Sequence, residues 1–555
     1  MKRLTVSLFL AVLMILPGQA QNFLKGKVLK IDMSDTVAEK GSEGSPFNLD
    51  LGLPIGGFDG AKVSLLSLER ALEKASKDDE IAMVYLNYDK LSAGSAAMEE
   101  LRECLARVSA SGKPVIAYGA GLSNGSYYIA SVADRVFMHP KGSGTLNGLG
   151  TTQFFIKDLL DTLGVQVQLI RHGKFKSAGE MYIRNSMSPE NRRQYQELEE
   201  SVWSSMVEQM AASRGIKAED LRTWIAGLEL GTASTWMEKG LIDGLKYRDE
   251  MEEYICHLFG TKDPKNVKRV DIREYASKVK SGSGSKIAVL YADGEIAREG
   301  SQIAGEKFAR EVEKLRKDES VKAVVFRVNS PGGEVVAADM IRREIELLGR
   351  EKPVIASYGA YAASGGYLIS AGCRKIFVDN ATLTGSIGVF GMIPNIGGAV
   401  KKLLKVNVET VGTDPHAGMG NLFQGLNEEE EAWYQKEIEG IYTDFVNVVV
   451  QGRGMTFEQV DEIAQGRVWS GKDALVNGLA DEKGILLDAI KAAATEAGLT
   501  KYKIVTYPAQ KSFMKAMRED SRKGKDLPLV NAVTEPGFKA MALMPFVTFD
   551  PEFAL

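Results

Sequence analysis

From Ala61 the chain settles into an alternation of helix-spaced and strand-like apolar runs. Leu65 to Lys77 carries apolar residues at helical spacing, and Ile81 to Leu86 is a short apolar run suited to a buried strand. Ala96 to Ser109 is helical again, and Pro114 to Tyr118 reads as a further strand. Strands separated by helices predict a parallel sheet with right-handed crossovers. Before this pattern, residues 21 to 60 hold one strand-like run, Gly26 to Ile31, and then a Ser/Gly/Pro-rich connector.

The pattern comes twice, and local strings match between the halves. K-P-V-I-A begins at Lys113 and again at Lys352. The residues that follow align without gaps, placing Tyr128 opposite Tyr367 and Ser131 opposite Ser370. R-V-F-M from Arg135 parallels K-I-F-V from Lys375, and V-Q-V-Q-L-I from Val165 is matched to V-N-V-E-T-V from Val406. Long acidic helices are expected from Pro189 and from Asn427. The fold class expected is therefore α/β, with tandem duplicated domains, each a mostly parallel sheet with crossover helices. The division expected is 21–280 and 286–500, joined by the S-G-S-G-S linker at 281–285 and followed by a tail at 501–555.

Composition narrows the function. In 555 residues the apolar fraction is 44% and the charged fraction 26%, as in ordinary globular proteins. A net charge of −4 gives no basic footprint, so nucleic acid is not an expected partner. Cys104, Cys256 and Cys373 are widely spaced, and the four histidines fall in no metal-binding pattern, so neither a disulfide framework nor a metal or organic cofactor is expected. Lys2 and Arg3 precede an apolar run from Leu4 to Leu16 and then P-G-Q-A, the order of a secretory signal. The run is shorter than the roughly 18 residues of a spanning helix. Residues 1–20 are expected to direct export, with cleavage after Ala20 favoured over retention as an anchor.

The candidate chemistry lies between Asn329 and Gly388. V-N-S-P-G-G is followed by Y-A-A-S-G-G-Y and then T-L-T-G-S-I-G. Ser364 sits among residues too small to cover it, at the start of an expected helix, and is the candidate nucleophile. Gly332 and Gly333 follow an expected strand, Ala323 to Val328, where backbone N–H groups can form an oxyanion hole. In the first copy Ser364 is matched by Gly125, so that copy has no nucleophile of its own. A serine needs a base. His416, in G-T-D-P-H-A-G-M, is one candidate. Lys176, in R-H-G-K-F-K-S-A-G-E of the first copy, is another, provided burial lowers its pKa from about 10.4 toward neutrality. G-R-V-W-S-G-K from Gly466 starts like a phosphate-binding loop, but Asp473 takes the Ser/Thr position, and a turn entering a helix is the expected reading.

These motifs, with F-K-S-A-G-E-M-Y-I-R-N-S-M-S from Phe175, resemble the long, two-domain signal peptide peptidase A family, bacterial serine endopeptidases of the S49 group with a ClpP/crotonase-like fold. The resemblance runs from Gly26 to about Ser512. It implies a Ser-Lys dyad split between the two halves, with Ser364 as nucleophile and Lys176 as general base. It also implies an oxyanion hole made by Gly333 and the Ser364 N–H, and a lysine-positioning role for Ser386. The implied substrates are signal peptides left in the membrane after preprotein processing. The implied setting is the periplasmic side of the inner membrane, membrane-associated or anchored, as a homo-oligomer and specifically a tetramer. Two other classes stay open beside it, a crotonase-type acyl-CoA enzyme and a non-catalytic membrane scaffold.

Overall fold

The computed structural model describes residues 23–32, 37–40, 63–90, 93–300, 303–508 and 541–543. Residues 1–20 and the charged stretch from Lys511 to Lys525 lie outside them. The chain forms two compact units. The described residues of the first run up to Gly150 and over Val202–Ser281, and those of the second lie within Thr151–Ser201 and Gly282–Thr548. The lysine segment around Lys176, which the sequence order assigns to the first copy, thus packs with the nucleophile's half.

The first unit is built on a six-stranded parallel sheet in the order Gly244–Leu245, Arg135–Gly144, Val115–Leu122, Ile81–Asn87, Lys27–Asp32, Arg269–Asp271. Its crossovers include the helices Leu65–Lys77 and Ser95–Ala110, whose apolar faces are buried. Alternating strand and helix runs in the sequence required this arrangement, because both faces of a parallel sheet must be covered.

The second unit repeats that order. Glu482–Lys483, Lys375–Val378, Val354–Ala363, Val321–Ser330, Ser285–Asp293 and Tyr502–Tyr507 lie side by side in parallel. Even an irregularity recurs: the register slips after Lys27 in one unit and after Lys286 in the other. The duplication expected from the matched strings is therefore present in strand order and in register. The core strands Ser285–Asp293 and Val321–Ser330 are almost wholly buried, as their continuous apolar runs demand.

The second unit also carries a six-stranded sheet, ordered Ile303–Ala304, Ile296–Ala297, Gly332–Glu334, Met541–Leu543, Val389–Asn395, Gln166–His172, where the described residues of the first unit have a two-stranded one, Val37–Ala38 with Val63–Ser64. The last two of the six pair antiparallel over seven residues, from Val389 opposite His172 to Asn395 opposite Gln166. This long pairing holds the lysine segment in place. Ile170 anchors it by entering the apolar core beneath, at 2% exposure. The matched string from Val406 behaves differently. Residues 405–412 have no regular structure and are exposed, so the sequence match to Val165–Ile170 is not an equivalence of strands. Residues at 165–170 have an edge to pair with, and apolar alternation alone cannot supply one.

Substituting Ile170 tests whether the arm depends on this anchor. Ile170→Ala is expected to cost about 2–5 kcal/mol and Ile170→Val about 0.5–1.5 kcal/mol in urea unfolding followed in the second unit. Equal, negligible effects would show that the arm is held without its core contact.

Candidate active site

The Ser364 side chain is reached from the end of strand Val354–Ala363, where the chain turns sharply into the short helix Gly365–Leu368. The turn puts Ser364 at φ 55° and ψ −118°, a conformation that non-glycine residues seldom adopt and that costs on the order of 1–3 kcal/mol. It is held by several bonds. The Ser364 N–H donates to the Gly385 carbonyl at 2.8 Å, and the Thr384 hydroxyl donates to the Ala362 carbonyl at 2.6 Å. Strand Leu383–Gly385 lies parallel to the serine's strand on one side and antiparallel to Val468–Ser470 on the other.

Lys176 meets this turn from its own segment. Its Nζ lies 2.7 Å from Ser364 Oγ, 3.0 Å from Ser386 Oγ and 3.0 Å from the Ser386 carbonyl oxygen. Lys176, Ser364 and Ser386 are all fully buried. Burial pushes the Lys176 pKa well below the ordinary lysine range, and no neighbouring charge contributes. A neutral amine has two donors and one lone pair. The three contacts satisfy it if the lone pair receives the Ser364 hydroxyl proton and the two N–H groups face Ser386.

The aliphatic stem of Lys176 is walled by glycines. A Cβ on Gly466, at φ 77°, would stand 2.6 Å from the Lys176 Cβ, and one on Gly388 would stand 3.2 Å from its Cδ. Gly466, which the sequence offered only as the start of a turn into a helix, has no side chain and so lets the lysine lie against its backbone. G-R-V-W-S-G-K itself forms strand Val468–Ser470 and the Ser470-capped helix Gly471–Val476, in keeping with a turn into a helix. The loop before Lys176 is tied down as well. The Phe175 N–H donates to the Gln465 carbonyl at 2.9 Å. The buried Gln194 side chain accepts the Val468 N–H at 2.8 Å and reaches the Phe175 carbonyl at 3.5 Å. Arg467 stacks on Trp469 and Phe175 and pairs with Glu197.

Gly333 lies in the strand Gly332–Glu334, and a Cβ there would overlap the Ile296 carbonyl oxygen, so only glycine fits. The strand is held near the serine turn at Gly366, where a Cβ would come within 2.5 Å of the Ser330 carbonyl oxygen. The Ser364 N–H, expected as a second oxyanion donor, is instead engaged by Gly385. His416, the alternative base, is directed to Glu430, with Nδ1 3.0 Å from its Oε1, and belongs to a turn. It is not among the groups bonded to Ser364. Among the described residues no cluster of His, Cys, Asp or Glu suited to a metal is present.

A strained, fully buried serine lies against a buried lysine within a duplicated α/β framework, and the family and relatives that the chain matches make it a serine peptidase. It belongs to peptidase family S49, whose family model, "Peptidase family S49", matches residues 107–258 and 346–500. Related proteins include "Protease 4" of Salmonella typhi, 33% identical over 94% of this chain and 85% of that protein. "Protease 4" of Haemophilus influenzae is 34% identical over 78% of this chain and 73% of its own length. "Serine protease SPPA, chloroplastic" of Arabidopsis thaliana is 32% identical over 88% and 71% respectively. Among solved structures, a ClpP1 mutant from Listeria monocytogenes aligns over 36% of this chain and 94% of its own, at 18% identity and a TM-score of 0.25.

The neutral lysine has a thermodynamic signature with a definite sign. The unfolded chain protonates Lys176 below about pH 10.4, while the folded chain keeps it neutral until a much lower pH. Folding therefore releases a proton in that window, and stability rises with pH there by up to about 1.4 kcal/mol per unit. Urea unfolding between pH 7 and pH 10 is expected to show this rise in the unaltered protein relative to Lys176→Met. Parallel curves for the two proteins would mean that Lys176 is protonated in the folded state.

Proposed function

We propose that the chain is an endopeptidase working through a Ser364–Lys176 dyad, and that its substrates are signal peptides left in the membrane after preprotein processing. The observation that carries the dyad is the 2.7 Å contact between Lys176 Nζ and Ser364 Oγ, with both groups excluded from water. In the first step Lys176 takes the hydroxyl proton as Ser364 Oγ bonds to a peptide carbonyl carbon. The resulting oxyanion is stabilised by the Gly333 N–H; the Ser364 N–H can join it only by leaving the Gly385 carbonyl. Lys176 then passes its proton to the departing amine as the C–N bond breaks. Water, deprotonated by the same lysine, releases the acyl group and restores the serine. Ser386 keeps the amine aimed through both steps.

A peptide has a ready place to bind. Residues Met541–Leu543 of the chain's own tail lie antiparallel to Gly332–Glu334, with Ala542 opposite Gly333, and Met541 also pairs with Phe390. These two edges accept an extended backbone, and a substrate added in the same way would compete with that strand.

Residues 1–20 support export, and we assign the protein to the periplasmic side of the inner membrane, associated with it or anchored, as a homo-oligomer and specifically a tetramer. Among the described residues no helix is long and apolar enough to cross a membrane. An acyl-CoA enzyme or an inactive scaffold would leave the buried amine at Ser364 without a purpose.

Cleavage of a signal-peptide-like substrate by purified full-length protein tests the dyad. Ser364→Ala and Lys176→Ala are each expected to lower kcat by about 10³-fold or more with the thermal transition retained. Full cleavage by the Lys176→Ala protein would refute the assignment of the base.

A further inference from the structure

One pair of charged residues in the lysine segment has no part in the reaction as written. Arg171, in the strand Gln166–His172, donates from Nη1 to the Lys176 backbone carbonyl at 2.7 Å. The same nitrogen is 3.2 Å from Glu180 Oε1. Glu180 is fully buried, and its other oxygen accepts the Ser188 N–H at 3.1 Å and the Asn191 side-chain amide at 3.2 Å. The guanidinium thus closes the turn from strand to lysine and at the same time meets a carboxylate that has no access to water. Arg171 keeps 27% of its side chain exposed while Glu180 is fully buried, and desolvating the carboxylate cancels much of the attraction. The pair's presence beside an uncharged amine calls for another explanation.

We propose that Arg171 and Glu180 are positioning residues for Lys176: they fix the backbone that carries the base and cancel one another's charge, so that the amine faces no net field from its own segment. This deepens the Ser364–Lys176 reading and rests on it. Neither residue touches Ser364, and both act through the lysine. Removing either charge exposes the other. An unpaired carboxylate favours the ammonium form of Lys176, whereas an unpaired guanidinium opposes it. At separations on the order of 10 Å through a protein interior, an uncompensated charge moves a titration by roughly one pH unit. The remaining ionisable groups on the elements packed around the loop are already engaged or lie on its outer side. His172 stacks on Tyr442, which is hydrogen-bonded to Asp461; Glu197 pairs with Arg467; Lys174 lies over the Phe175 ring. The substitutions leave all of these unchanged.

The test follows the rate of Ser364 modification by a peptidyl phosphonate as a function of pH in the full-length protein, with intact mass reporting the adduct. Relative to the unaltered protein, Arg171→Met is expected to move the acid limb up by about one pH unit and Glu180→Gln to move it down. Arg171→Lys, which keeps the charge, and the double substitution Arg171→Met with Glu180→Gln are expected to return the limb close to its original position. A merely structural pair would slow modification without moving the limb. Unmoved limbs, or shifts of the same sign in both single variants, overturn the proposal. Lys176→Met in the same assay separates the two levels: if it modifies at the unaltered rate, the dyad itself fails, and if it is inert while the Arg171 and Glu180 variants keep the original limb, only the pairing role fails. Should Arg171→Met not fold, Glu180→Gln and Arg171→Lys still decide the sign.

Discussion

The exclusion of water from the Lys176 amine is the constraint on which the rest of the second unit depends. A lysine in contact with solvent would be protonated at neutral pH and could accept nothing from Ser364. Burial pushes the Lys176 pKa well down at a cost to folding, and the surroundings are arranged to hold the buried state. Gly466 and Gly388 bring backbone against the aliphatic stem, Ser386 supplies two oxygens for the N–H groups, and Ile170 pins the arm to the core. The strained Ser364 turn belongs to the same arrangement, since its backbone conformation directs the hydroxyl toward the amine. Stability is given up at two adjacent residues, and an extensively buried parallel sheet beneath them offsets the loss.

Duplication accounts for the framework but not for the site. Six strands in the same order, with a register slip at the same place, show that both units fold on one plan. Ser364 stands at the end of Val354–Ala363 in the duplicated sheet, whereas Gly333 and the segment carrying Lys176 belong with the other sheet, which contains Gly332–Glu334, Val389–Asn395 and the arm Gln166–His172. The arm is drawn from the chain ahead of its own unit's sheet strands. Lys176 and Ser364 are far apart in sequence and still belong to one compact unit, so the geometry of the pair is fixed by packing within that unit.

Much of the framework was legible because it rests on local pattern. Leu65–Lys77 reads as a helix and Ile81–Leu86 as a buried strand from apolar spacing alone, and the structure has a helix over Leu65–Lys77 and a strand over Ile81–Asn87. Ser364 and Lys176 were singled out by small-residue context and by resemblance, and they are in hydrogen-bond contact. The sheet that carries the arm was not foreseen. Four of its six strands are only two or three residues long, which leaves no period to detect, and the two longer ones pair with partners far away in sequence. For the same reason, the string matched at Val406–Val411 is exposed chain although its counterpart at Val165–Ile170 is largely strand. The engagement of the Ser364 N–H by Gly385 is a backbone event that no residue type announces. Arg171 and Glu180 stood in plain view within R-H-G-K-F-K-S-A-G-E, but their pairing depends on a turn that returns the helix start to the strand.

The protonation state of Lys176 can be read directly. In protein carrying ¹³C at lysine Cε, the Lys176 resonance is identified by its loss in Lys176→Met and followed by NMR against pH. A midpoint well below the ordinary lysine value of about 10.4 is the result required of a buried, neutral base. A midpoint near that value would contradict it, and the Ser364–Lys176 contact would then be that of a serine bound to an ammonium ion unable to accept its proton.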